Sequence, residues 1–182
     1  MNICTLLFEI FGFRLLKLCA KDLLPVQIIF QYSLSAVRCI SQILQKEVCR
    51  QIIDDARKIE PCDILVCGKK HAYATSEDSE MYSWISDSYG FDIQAVGDQQ
   101  KNISDDIVKI SLYHHNMVEQ LTKDWFRPKW ENKVRLNLAG IQWLDCVPKE
   151  AGKGTAFAFL QGHLQITPEE TCVFGEMKMI SS

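Results

Sequence analysis

The chain has 182 residues, 47% of them apolar, and a net charge of -3. That length suits one medium domain, or a small domain with part of another, and the mildly acidic balance argues against nucleic acid, which calls for a basic face. Eight cysteines contain no C-x-x-C pair, the nearest two being Cys62 and Cys67. They are expected to be scattered, reduced thiols of a cytoplasmic protein rather than a disulfide framework.

Met1 to Phe13 is apolar, with Glu9 inside it and Arg14 and Lys17 just beyond. It has no basic segment ahead of the apolar run and no small-residue cleavage site, so no signal peptide is expected. The run is too short to span a bilayer. Thr5–Phe8 is expected as a buried strand, and Leu34–Leu44, with apolar residues at helical spacing, as a helix.

From Lys46 turn signals become regular. Val48–Ile59 predicts an amphipathic helix, with Val48, Ile52, Ile53 and Ala56 on one face. Asp63–Cys67 predicts a strand, Gly68-Lys69-Lys70 a turn, and His71–Ala74 a strand pairing back. Ser76–Ser79 caps a helix carrying Met81, Trp84 and Ile85, and Phe91–Val96 alternates as a half-buried strand. A polar loop, Gly97–Asp106, precedes the strand Ile107–Tyr113 and the helix Met117–Phe126. Asn132–Ala139 and Gln142–Cys146 read as two further strands.

Near the C-terminus, Lys153 stands between Gly152 and Gly154, ahead of apolar residues at helical spacing (Ala156, Phe157, Leu160, Leu164). Thr167-Pro168-Glu169-Glu170 resembles a helix start. Thr171–Phe174 is an apolar strand, and Gly175-Glu176 puts a carboxylate at its C-terminal end. In open α/β sheets ligands bind at that edge. A P-loop is excluded, because the motif wants Gly where Val147 stands and Ser or Thr where Gly154 stands.

The run Lys153-Gly154-Thr155-Ala156-Phe157, then Ile166-Thr167-Pro168-Glu169-Glu170-Thr171-Cys172-Val173-Phe174-Gly175-Glu176, resembles the haloacid dehalogenase (HAD) superfamily, in particular its Cof-type sugar-phosphatase-like hydrolases. The resemblance implies an α/β fold: a partial Rossmannoid core with a parallel sheet, carrying a large inserted α/β cap. The implied division is 1–44 as a divergent N-terminal core segment, 45–145 as the cap, and 146–182 as a C-terminal core segment that looks truncated.

The reaction so implied is Mg²⁺-dependent hydrolysis of phosphomonoesters of small metabolites through an aspartyl phosphate. Lys153, with Gly154, would bind the phosphate and steady the nucleophile. The family's opening D-x-D-G-T falls on Glu9-Ile10-Phe11-Gly12-Phe13, leaving Glu9 as nucleophile and metal ligand and Phe11 where the acid/base aspartate belongs. The metal-binding aspartate falls on Glu176, and the second on Ile180. Weak or absent turnover and weakened Mg²⁺ binding follow.

Arg127, in an aromatic and basic stretch, and Trp143 are the candidate substrate contacts from the cap; a core role with snorkelling cations stays open for that stretch. His114-His115 reads as a helix-start or strand-end pair, since adjacent strand residues diverge. Cys67 lacks a histidine partner for nucleophilic work. A non-catalytic cap-like binding module and a truncated gene product remain as alternatives. Substrate identity and oligomeric state are not specified by the sequence.

Overall fold

The structure, a computed structural model, describes residues 14–17, 42–89 and 92–174. They divide into two compact units, Gln42–Ala151 and a second that includes β1 (Arg14–Lys17) and the described residues from Gly152 onward.

The first unit opens with α1 (Lys46–Ala56), followed by β2 (Asp63–Gly68), β3 (Ala72–Ala74), α2 (Glu80–Tyr89), β4 (Ile93–Ala95) and α3 (Gln99–Asn102). Then come β5 (Ile107–Tyr113), a helical run of α4 (Val118–Leu121), a π-turn (Thr122–Phe126) and α5 (Arg127–Trp130), and the hairpin β6 (Val134–Ala139) and β7 (Trp143–Pro148). Six strands form one mixed sheet in the order β4-β3-β2-β5-β7-β6, antiparallel except for the β3–β4 pair. The β6–β7 turn is made at Gly140, whose φ of 75° is a left-handed conformation that side chains other than Gly rarely adopt.

Period-two alternation gives the sheet two faces. On one face, pairing lines up Ile64, Leu112, Leu144 and Leu138 in one row and Val66, Ile110, Cys146 and Leu136 in the next. Ile52, Ile53 and Ala56 of α1 and Val118, Phe126 and Trp130 of the α4–α5 run close over this face in a single core. Phe126 and Trp130 are almost wholly removed from water, which contributes about 2–3 kcal/mol for a side chain of that size. On the opposite face the rows are Asp63, Tyr113, Trp143 and Ala139, then Leu65, Ser111, Asp145 and Asn137. Helix α2 lies here, burying Met81 and Ile85 and stacking Trp84 near Tyr113 and Trp143.

A buried carboxylate ties two helices together. Asp55 of α1 accepts from Trp130 Nε1 at 3.0 Å and pairs with Lys58 at 3.0 Å and Lys129 at 2.5 Å. Burial by itself would raise its pKa, but these three donors together hold it below the ordinary carboxylate value.

Several expectations need correction. Gln42–Leu44, the described end of the helix expected over Leu34–Leu44, is not helical. Instead Leu44 N–H donates to the Ile107 carbonyl at 2.7 Å. The strand expected at Thr5–Phe8 lies outside the described residues. The expected loop Gly97–Asp106 contains α3, because the Asp98 side chain accepts from Gln100 N–H and caps a short turn.

In the second unit, α6 (Lys153–Leu164) and a 3-10 turn (Pro168–Glu170) precede β8 (Thr171–Phe174). The core sheet was expected to be parallel, but β1 pairs with β8 antiparallel, Arg14 opposite Phe174 and Lys17 opposite Thr171. The strand ahead of β8 in this pair is Arg14–Lys17, which runs counter to it. The α/β class stands; the parallel order does not hold for this pair.

Candidate functional site

Lys153 is the first residue of α6, and Gly152 is its N-cap in an extended conformation, φ -178° and ψ 161°. Glycine has no side chain to cap the first N–H groups, so they stay available at the helix start. Gly154 is exposed, and a Cβ there would meet nothing within 4 Å. The helix ends at Gln165 in a left-handed conformation, its N–H donating back to the Gly162 carbonyl. Glu9, the expected nucleophile and metal ligand, and Glu176, the expected metal ligand, lie outside the described residues.

Arg127 and Trp143 both belong to the first unit, but the structure does not bring them together. Trp143 opens β7 opposite Ala139, whereas Arg127 shares a cleft with Val134 and Lys149, at the other end of the same hairpin. Five strand steps separate those ends, about 17 Å.

Around Trp143 the rings converge. Its centroid is 5.7 Å from Trp84, stacked, and 5.0 Å from Tyr113. His115 meets Tyr113 edge-on at 5.4 Å, and its Nε2 lies 2.9 Å from Glu80 Oε2. A cleft of about 510 Å³ opens beside them, lined by Glu80, Ser83, Trp84, Asp87, Tyr113 and Gln142. Two stacked indoles and a tilted phenol, with carboxylates and an amide nearby, suit a ring that offers C–H groups on one side and hydroxyls on its edge. Asp63 lies close by: burial raises its pKa, against the Met81 N–H and His115, which lower it.

Around Arg127 the chemistry is cationic. Arg127, Arg135 and Lys149 line a cleft of about 270 Å³ with Glu131, and Val134 and Leu136 complete its lining. Lys149 Nζ donates to the Asn132 carbonyl at 3.2 Å.

Sequence reasoning missed a polar row inside the sheet. Ser111 Oγ donates to Asp145 Oδ1 at 2.5 Å, and Lys109 Nζ lies 3.3 Å from Asp145 Oδ2. Burial would lower the Lys109 pKa, but Asp145 reverses this and holds it above the ordinary value. The only signal in the chain was Lys109 and Ser111 at alternate positions of an apolar strand.

Cysteine chemistry finds no support here. Burial pushes the Cys49 and Cys67 thiols to about 11 and Cys62 to about 12, so at neutral pH they are not thiolates. His114 Nδ1 accepts from the N–H groups of Asn116 and Met117 at 3.3 and 3.2 Å, ahead of α4, while His115 turns to Glu80. Among the described residues no three His, Cys, Asp or Glu side chains come together as a metal site. Among the described residues no helix is long and apolar enough to cross a membrane.

A protein-family model described as haloacid dehalogenase-like hydrolase matches residues 33–179. Among solved structures, a protein from Eubacterium rectale is similar at 30% identity and a TM-score of 0.59, covering 69% of this chain and 46% of that one. A haloacid dehalogenase-like hydrolase from Bacteroides thetaiotaomicron is 16% identical with a TM-score of 0.62, covering 70% and 48%. A sugar phosphatase of HAD subclass IIB is 12% identical with a TM-score of 0.54, covering 71% and 47%. The last two show likeness of fold. The chain spans about half the length of each of these proteins. No curated protein matches it.

Proposed function

Since this chain belongs to the haloacid dehalogenase-like hydrolases, we propose that it serves the hydrolysis of phosphomonoesters of small metabolites, sugar phosphates above all. In this reading residues 45–145 act as the lid that chooses the substrate, and the segment from 146 carries the phosphate-binding lysine. The observation that carries the reading is Lys153 at the first position of α6, behind an N-cap with no side chain. A phosphate bound there would meet the N–H groups and positive dipole end of a helix of 12 residues whose first residue is a lysine. Gly154 leaves the approach unobstructed. Trp143, with Trp84 and Tyr113, would present an aromatic wall to the sugar ring.

Mg²⁺ is the ion that the family implies, with Glu9 and Glu176 as its expected ligands. It would neutralise charge gathering on the phosphoryl oxygens. Where an acid/base aspartate belongs, Phe11 can neither give nor take a proton, so we infer slow turnover by this chain alone. The free thiols of Cys49, Cys62, Cys67 and Cys146 fit a reducing, cytoplasmic location.

The test is phosphate release from glucose 6-phosphate by the full chain, with and without Mg²⁺. The expected rate is Mg²⁺-dependent and below about 1 s⁻¹, the low end of ordinary turnover, and Lys153→Ala lowers it at least tenfold. Turnover that ignores Lys153→Ala defeats the reading. A second reading, a binding module without turnover, is favoured by the closed core that Gln42–Ala151 keeps to itself. Saturable binding of glucose 6-phosphate with no phosphate released selects it.

A further inference from the structure

We propose that Arg127, Arg135 and Lys149 form a second anion site, for the phosphoryl group of a phosphorylated polyhydroxyl metabolite, on the edge of the six-stranded sheet. Many cations of the first unit are engaged by acids or rings. Lys58 and Lys129 are held by Asp55, Arg57 and Lys101 by Asp98, Lys69 by Asp106 and Lys109 by Asp145. Lys133 and Lys129 also lie over the Trp130 ring, at 5.0 and 5.6 Å. Acids outnumber bases in this chain, 23 to 20. Even so, Arg127 and Arg135, like Lys46, Arg50, Lys70 and Lys123, are in no ion pair among the described residues; what sets these two apart is that they line one cleft with Lys149, although Glu131 lines it too.

Three elements line the cleft. Edge strand β6 contributes Val134, Arg135 and Leu136, the end of the α4–α5 run contributes Arg127 and Glu131, and the turn after β7 contributes Lys149. The contact of Lys149 with the Asn132 carbonyl ties its ammonium to this corner. Two guanidinium groups offer paired donors that match phosphoryl oxygens, and a third cation adds charge. Val134 and Leu136 complete the lining, while Arg127, Arg135 and Lys149 are exposed, so binding there weakens as salt rises. Glu131 sets the class further. A carboxylate in the same cleft repels a bare small anion but accepts a hydroxyl hydrogen bond, which favours a phosphate ester bearing a neighbouring hydroxyl. None of these residues is placed in the turnover chemistry, so the site goes beyond the phosphatase reading.

Arginine Nε–H signals of the full chain can be followed by NMR during titration at constant ionic strength, first with inorganic phosphate and then with glycerol 3-phosphate. The expected result is saturating shifts at Arg127 and Arg135, with glycerol 3-phosphate binding several-fold more tightly. The double variant Arg127→Gln and Arg135→Gln weakens binding at least tenfold. Lys123→Gln, in the same helical run but outside the cleft, changes it less than twofold. Non-saturating shifts in the unmodified chain, or equal weakening by Lys123→Gln, overturn the proposal. So does a DNA duplex that binds more tightly than either probe with a steep salt dependence. The readout needs no turnover, so failure here and failure of the phosphatase assay are separate results.

Discussion

Asp55 is the residue on which two helices of the first unit depend. Its carboxylate is buried and meets one indole N–H and two ammonium groups. Removing it leaves the buried Trp130 N–H without an acceptor, while Lys58 and Lys129 are half-exposed and return to water, so Asp55→Ala should cost about 1–3 kcal/mol in a denaturant melt. The same carboxylate sets an acid limit. Its folded pKa lies below its ordinary value of 3.8, so its stabilisation is complete above that value and is lost as pH falls through the folded one. Unfolding free energy should therefore drop with acid in the unmodified chain and more shallowly in Asp55→Asn. Parallel pH profiles for the two would refute the assignment.

At the scale of elements, Gly68 is the tightest point of the β2–β3 hairpin. The register of β2 against β5 shifts there, and a Cβ would run into the carboxylate of Asp105. That carboxylate cannot easily step aside, because Lys70 N–H and Tyr73 Oη–H donate to it at 2.9 and 3.1 Å. Gly68→Ala should cost about 1–3 kcal/mol, in the range of overpacking substitutions. A thermal melt unchanged within error would show that the strand end yields.

The hairpin also shows what a sequence can disclose. Strands β2, β5, β6 and β7 were legible because apolar residues alternate or run unbroken between turn signals, and α1 because Ile52, Ile53 and Ala56 share a face. Helix α3 was not legible, since its buried residue is polar: Gln99 donates to the Ile64 and Tyr73 carbonyls at 2.8 and 3.0 Å. Nor was the separation of Arg127 from Trp143, because it follows from the pairing of Val134 with Pro148 and Ala139 with Trp143. Register of that kind depends on the turn at Gly140, and proximity in sequence conceals it. Lys153 at a helix start was legible from its glycines and the apolar spacing behind it.

For the whole molecule, the informative fact is that the sheet and core of the first unit are drawn from its own residues. All six strands of its sheet pair with one another, and its core is drawn from residues between Leu44 and Cys146. A fragment comprising residues 42–151 should therefore express as a folded domain with a single cooperative thermal transition. Gradual melting, or a fragment without dispersed amide signals, would show that it borrows stability from the rest of the chain.

The way the polypeptide enters and leaves this unit has its own consequence. Leu44 is fastened to Ile107 at the start of β5, and the exit at Ala151 folds back on Pro148 at the end of the neighbouring strand β7. Both termini of the unit thus sit on one corner of the sheet. Entry and exit that meet at one corner can be joined by a short bridging loop, so the chain ends of this unit place no demand on the strand order between them.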